Sequence, residues 1–169
     1  MVCKPKENGG LGIIDFQKKN DALLIKYLDK FYDRAEIPWV QLIWSTYYTH
    51  SLPNKEHLCG SFWWRDIIKL QDNFKDVAIV SPGTGDTFQS WTEKWEFMGS
   101  AEPLSTRFPR LFSFVLDNAM LASEVYATDD FHSLFYQPLS TQAFDELSLV
   151  HQGLLQQPLL DTHDEWKYD

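Results

Sequence analysis

Hydrophobic and polar positions alternate with helical periodicity along much of the first half of the chain. From Phe16 to Tyr32, Leu24, Tyr27, Leu28 and Phe31 fall at i, i+3, i+4 and i+7 with Leu23 beside them, which predicts an amphipathic helix preceded by Asp15 as its cap. Pro38 to Tyr48 predicts a second helix, with Pro in the first turn and Val40, Ile43, Trp44 and Tyr47 on one stripe that packs on the first. Ser61 then caps a short helix in which Trp64, Ile67, Ile68 and Gln71 share a face and Trp63 stands at its edge. Between these two, residues 51 to 59 lack periodicity and predict a loop.

The period changes after that helix. Val77 to Val80 and Thr87 to Trp91 are short β-prone runs enclosing Ser81-Pro82-Gly83-Thr84-Gly85-Asp86, which predicts a hairpin between about residues 76 and 92. Beyond Trp95 the pattern loosens. A short helix is expected around Phe108, Leu111, Phe112 and Val115, and one or two helical turns between Ala122 and Phe135. A further helix starts at a cap on Ser140 or Thr141 and runs to about Gln152, and the acidic tail from Gln156 is expected to fray. The fold class is therefore mainly α with one small β-hairpin and a loosely ordered C-terminal third. Three regions are expected: 1–100, helical with the Trp-rich helix and hairpin; 101–155, acidic with short helices; and 156–169, an acidic tail.

Composition narrows the functional classes. With 169 residues, 44% of them hydrophobic and 15% aromatic, the chain can bury a core and is not a disordered tail. Residues 1 to 6 have no apolar signal-type core and no apolar run approaches roughly 18 residues, so an intracellular, soluble protein without a membrane partner is expected. Cys3 and Cys59 stand far apart, which suits reduced thiols better than a disulfide or a zinc site, and no metal or cofactor is expected. Net charge is −9, unevenly spread. Residues 1–75 hold 11 Lys/Arg and 9 Asp/Glu, whereas residues 76–169 hold 4 and 15, so phosphate-contacting side chains are expected in the first half only. The candidates there are Lys18, Lys19, Lys26 and Lys30 on the face of the first helix opposite its apolar stripe, and Arg65 on the Trp-rich helix. Asp21, Asp29 and Asp33 interleave with the lysines, so a solvated face is the competing interpretation.

Several tempting motifs carry no chemistry. Gly9, Gly10 and Gly12 lack the preceding strand and third glycine of a dinucleotide fingerprint and the Lys-Ser/Thr of a phosphate-binding loop, so they suit a turn. Tyr126-Ala127-Thr128-Asp129-Asp130 has adjacent carboxylates but no flanking β runs to display them to metal ions. His50 and His57 have no partner at ligand spacing. No nucleophile, base or metal cluster emerges, and a non-catalytic chain is expected.

Five stretches resemble the region downstream of the polymerase domain in plant LINE-class non-LTR retrotransposon proteins, and the likeness extends from residue 2 to residue 169. Val2-Cys3, Pro5-Lys6 and Gly9 to Ile13 are similar to the family's V-C-x-P-K-x-x-G-G-L-G-I, and Asn20 to Lys26 to its N-x-A-L-L-x-K. Gly60 to Ile67, with Trp63 and Trp64, precedes a turn that the family writes G-D-G-x-x-(apolar)-x-F-W-x-D-x-W. Here that turn keeps Gly83, Gly85, Trp91 and Trp95 but has Thr84, Ser90 and Glu93 at three other positions. Arg107-Phe108-Pro109-Arg110-Leu111-Phe112-Ser113-Phe114 resembles the family's R-F-P-R-L-F-S-F throughout, and His163 to Asp169 is similar to the D-x-W-x-(aromatic) run that introduces its zinc-binding module. The resemblance implies an internal fragment of a reverse transcriptase protein: a helical connector between polymerase and zinc module, contacting RNA or DNA backbone within the parent. A stand-alone interaction module or domesticated relic, offering its aromatic surface to a protein partner, is the alternative.

Overall fold

The computed structural model describes residues 15–49, 52–54 and 57–168. These form two compact units, one comprising residues up to Phe31 together with Ala35–Phe74, the other Tyr32–Arg34 with Lys75–Asp169. The main division falls near residue 75, where the charge balance changes sign.

The first unit is helical. Its first helix, α1, spans Phe16–Tyr32, and Asp15 caps it by accepting hydrogen bonds from the amides of Gln17 (3.1 Å) and Lys18 (3.3 Å). Helix α2, Pro38–Tyr47, uses the fixed φ of Pro38 at its start. Helix α3, Phe62–Ile68, starts at Ser61, whose hydroxyl accepts from the Trp64 amide at 3.2 Å, and the short α4, Gln71–Lys75, follows.

Aromatic packing joins these helices. The Trp44 indole stacks on Phe31 with centroids 4.5 Å apart and donates its N–H to the Phe31 carbonyl at 2.8 Å. Phe31 also meets Trp64 at 4.7 Å, so the expected packing of α2 on α1 is observed and α3 joins the same cluster. The buried Tyr48 hydroxyl accepts from the Trp64 indole (3.0 Å) and the Cys59 thiol (3.4 Å). Burial, then that thiol, pushes the phenol well above its ordinary pKa, so it stays a neutral hydrogen-bonding group.

The second unit is built on strand β1, Ala78–Ser81, with helices α5, Leu104–Arg107, α6, Pro109–Phe112, and α7, Ala122–Ala127, following it. A 3-10 turn at Phe131–Leu134 and the longer helix α8, Thr141–Gln156, come next, and Ser140 caps α8 through the Ala143 amide at 3.2 Å. Strand β2, Glu165–Tyr168, closes the unit. The class expected from the sequence holds: mainly helical with one two-stranded antiparallel pair.

The composition of that pair differs from the expected hairpin. β1 pairs with β2 in the register Ala78–Tyr168 to Ser81–Glu165, and Thr87–Trp91 forms no strand. The segment's polar groups are engaged by distant parts of the chain: the Thr87 amide is taken by the Asp164 carboxylate, the Ser90 amide by the Met120 carbonyl, and the Phe88 carbonyl by the Ala122 amide. Those groups are therefore not free to pair with β1. On its other edge β1 bonds the chain around Trp95, with the Val80 amide donating to Lys94 and Val80 accepting from Glu96. The expectation of a frayed tail and a loosely ordered C-terminal third is overturned as well. Asp164 and Trp166 are 1% and 4% exposed, Asp164 just ahead of β2 and Trp166 as the one buried residue within it.

Because Trp64 lies at the centre of the first unit while Phe62, two residues earlier, is 76% exposed, Trp64→Ala is expected to cost about 3–5 kcal/mol. Phe62→Ala is expected to stay within about 0.5 kcal/mol. Urea denaturation followed by circular dichroism checks both.

Candidate functional site

The second unit holds one densely bonded polar site, made by two segments far apart in sequence. Residues Gly83 to Thr87 form a turn whose amides converge on one carboxylate. Asp164 Oδ1 accepts from the amides of Gly83 (2.7 Å) and Gly85 (2.8 Å), and its Oδ2 accepts from the amide (3.0 Å) and hydroxyl (2.7 Å) of Thr87. Alternate amides of one turn thus point into a common concavity, an anion nest, and here the anion belongs to the chain. Each bond is charge-assisted, so a buried carboxylate is stable without a neighbouring cation.

Glycine is needed at both positions, for different reasons. A Cβ on Gly83 would stand 2.1 Å from the Thr162 carbonyl oxygen, which is backbone and cannot yield. Gly85 has φ +73°, where other L-residues are strained. The Trp166 indole reinforces the arrangement by donating to the Thr87 hydroxyl at 3.1 Å, while its own amide donates to Asp33 at 2.8 Å and its ring meets Tyr32 at 4.7 Å. Asp86, on the rim of the turn, pairs with Arg34 at 2.7 Å.

The other motif residues of this unit are also spent inside it. Trp95 is fully buried and donates to the Ser90 carbonyl at 2.8 Å, and buried Trp91 lies edge-on to Phe135 at 5.8 Å. Glu93 is buried and ion-paired with Lys75, and its second oxygen accepts from the Gln89 amide. Arg107 donates to the Phe97 carbonyl at 2.7 Å with its guanidinium over the rings of Phe97 and Phe108, and Pro109 opens α6. In the first unit, Trp64 is core and Trp63 packs edge-on against Tyr27 at 5.1 Å. Gly9, Gly10 and Gly12 lie outside the described residues.

The basic candidates occupy a different setting. Lys18, Lys19, Lys26, Lys30 and Arg65 are all exposed, and none forms an ion pair among the described residues. At about 100° per residue, Lys19, Lys26 and Lys30 share roughly 40° of arc on α1 and span about 16 Å along its axis. The four lysines do not make one row, however: Lys18 lies about 100° around the helix from Lys19. Arg65 stands on α3, a separate element. Beside the three-lysine row run Phe16, Leu23 and Tyr27, exposed at 78%, 51% and 36%. Carboxylates near the row have other work, since Asp15 caps the helix and Asp21 accepts from Gln17 at 2.8 Å. α1 therefore presents a row of exposed amines beside exposed apolar side chains.

Nothing in the described residues groups three or more His, Cys, Asp or Glu side chains to hold a metal ion. A cavity of about 330 Å³ lies between Leu116, Asp117, Met120, Glu124, Ser133 and Leu134, and none of the candidates lines it. Its two carboxylates bond the amides of Ala119 and Leu121. Among the described residues no helix is long and apolar enough to cross a membrane.

The chain matches no family model and no solved structure. It is similar to a protein of Arabidopsis thaliana named "Putative ribonuclease H protein", with 29% identity over 99 residues. That match covers 56% of this chain, and the chain spans only 16% of the relative's length.

The one residue on which the site turns, Asp164, was not among the sequence candidates. Its signal was the Asp-x-Trp spacing, which places carboxylate and indole on the same face of a strand. Asp164→Ala strands three amides and a hydroxyl, and is expected to cost at least about 3 kcal/mol in urea denaturation, with Asp164→Asn less harmful because one carbonyl oxygen still accepts. A second expectation concerns pH. The Tyr126 hydroxyl donates to the Gln157 carbonyl at 2.6 Å, and burial pushes its pKa from 10.0 to about 12. A raised folded pKa gives stability that is full below pH 10 and lost as the pH rises to about 12. The urea midpoint should therefore fall more steeply across that window in the native chain than in Tyr126→Phe.

Proposed function

We propose that this chain is a non-catalytic, transposon-derived segment: a helical connector of a LINE-class reverse transcriptase protein that lies between polymerase and zinc module and touches template or primer backbone through α1. The observation that carries this reading is the fate of the family-like residues. Those within the described chain, from Trp63 and Trp64 through Gly83, Gly85, Trp91 and Trp95 to Arg107, Phe108 and Pro109, go into packing and turn geometry. Such a set specifies a scaffold. Similarity to a plant protein named for ribonuclease H supports descent from a protein that processes nucleic acid.

An interaction module is the second reading. It is supported by the outer face of α8, where Phe144 and Leu155 are 51% and 74% exposed in the half of the chain with the acidic balance.

The test uses the purified full chain. Single-stranded RNA, followed by fluorescence anisotropy over a salt series, is expected to bind weakly, and Lys19→Ala, Lys26→Ala and Lys30→Ala together should lower the salt slope by about 2, at about 0.7 per phosphate contact. Neither primer extension nor cleavage of the RNA strand of a hybrid is expected. Extension or cleavage by the pure chain would overturn the non-catalytic reading, and binding unaltered by the triple substitution would remove α1 as the contact surface.

A further inference from the structure

Residues 159–168 engage the rest of the second unit in the manner of a bound peptide. The Leu160 amide donates to the Gly83 carbonyl at 2.9 Å, and the Thr84 amide donates to Thr162 at 2.8 Å. Asp164 then fills the nest, Trp166 enters with its indole on Thr87, and the four residues of β2 pair along β1. Main-chain pairing combined with side-chain anchors two residues apart is the way an extended peptide is recognised when it adds to a sheet edge.

The preceding residue is fixed by separate means. Gln157 donates through its amide to the Glu96 carbonyl (2.6 Å), accepts from the Met98 amide (3.2 Å) and accepts from Tyr126 (2.6 Å). Helix α8 is thus held in place up to Gln157 without help from the strand. Pro158, exposed, is the link between two independently anchored pieces.

We infer that the Gly83–Thr87 turn and β1 together form a cradle for an extended peptide carrying Asp-x-Trp, and that the chain's own residues 159–168 are its ligand, held by contacts and not by the covalent link at Gln157–Pro158. The carboxylate supplies specificity because the nest offers donors, and an apolar or basic side chain would leave them unpaired. The tryptophan supplies buried apolar area and a second directional bond.

The experiment inserts a protease recognition sequence between Gln157 and Pro158 of the full chain, cleaves the folded protein and follows the released peptide by size exclusion. The peptide is expected to stay with the body and to exchange with a labelled synthetic peptide covering Pro158–Asp169. Labelled peptides with Asp164→Ala or Trp166→Ala should bind about tenfold or more weakly. One with Asp161→Ala, altering an exposed side chain ahead of the anchors, should bind within about twofold of the native sequence. Departure of the peptide on cleavage, unfolding of the cleaved body, or equal binding of the Asp164→Ala peptide would each overturn the inference.

Discussion

A single carboxylate inside a ring of donors organises the second unit. Asp164 is almost wholly buried, and burying a charge is tolerable only where hydrogen bonds replace its hydration. The four donors come from Gly83, Gly85 and Thr87, so the turn must be shaped before the aspartate is comfortable, and the aspartate must arrive before the amides are satisfied. Each half satisfies polar groups of the other, which makes their meeting cooperative. From that contact the rest follows: Trp166 is delivered to Tyr32 and Thr87, β2 is brought alongside β1, and β1 in turn holds the segment around Trp95.

The helical part of this fold was legible to the residue in places. The period of Phe16–Tyr32 gave α1 with its observed bounds, and Ser61 and Ser140 act as the caps that their positions suggested, because periodicity and capping are local. The β pairing was not legible in the same way. Two short β-prone runs flanking a glycine turn satisfy every local rule for a hairpin, and nothing local says that a strand more than eighty residues away competes for β1. The competitor was disguised by its composition: Glu165-Trp166-Lys167-Tyr168 has one buried residue among polar ones and looks like tail.

The functional surface was partly legible. Lysines on α1 are exposed as their polarity requires, yet helical geometry gathers Lys19, Lys26 and Lys30 and sends Lys18 elsewhere, a distinction that a list of basic residues does not make. The glycines and tryptophans of the turn were recognised as important from their resemblance to a family. Their physical reason, a cradle for a carboxylate supplied from the far end of the unit, needed the fold.

The pairing of β1 with β2 also sets an order of events during synthesis. Val80 leaves the ribosome long before its partner Trp166 has been translated, and at about 5–20 residues per second the wait is roughly 4–17 s. Throughout that interval the amides of Gly83, Gly85 and Thr87 have no carboxylate and β1 presents an open edge, while α1, α2 and α3 can already close around Phe31 and Trp64. The nascent chain is therefore half folded and half waiting, and its exposed edge is a natural point of engagement for chaperones.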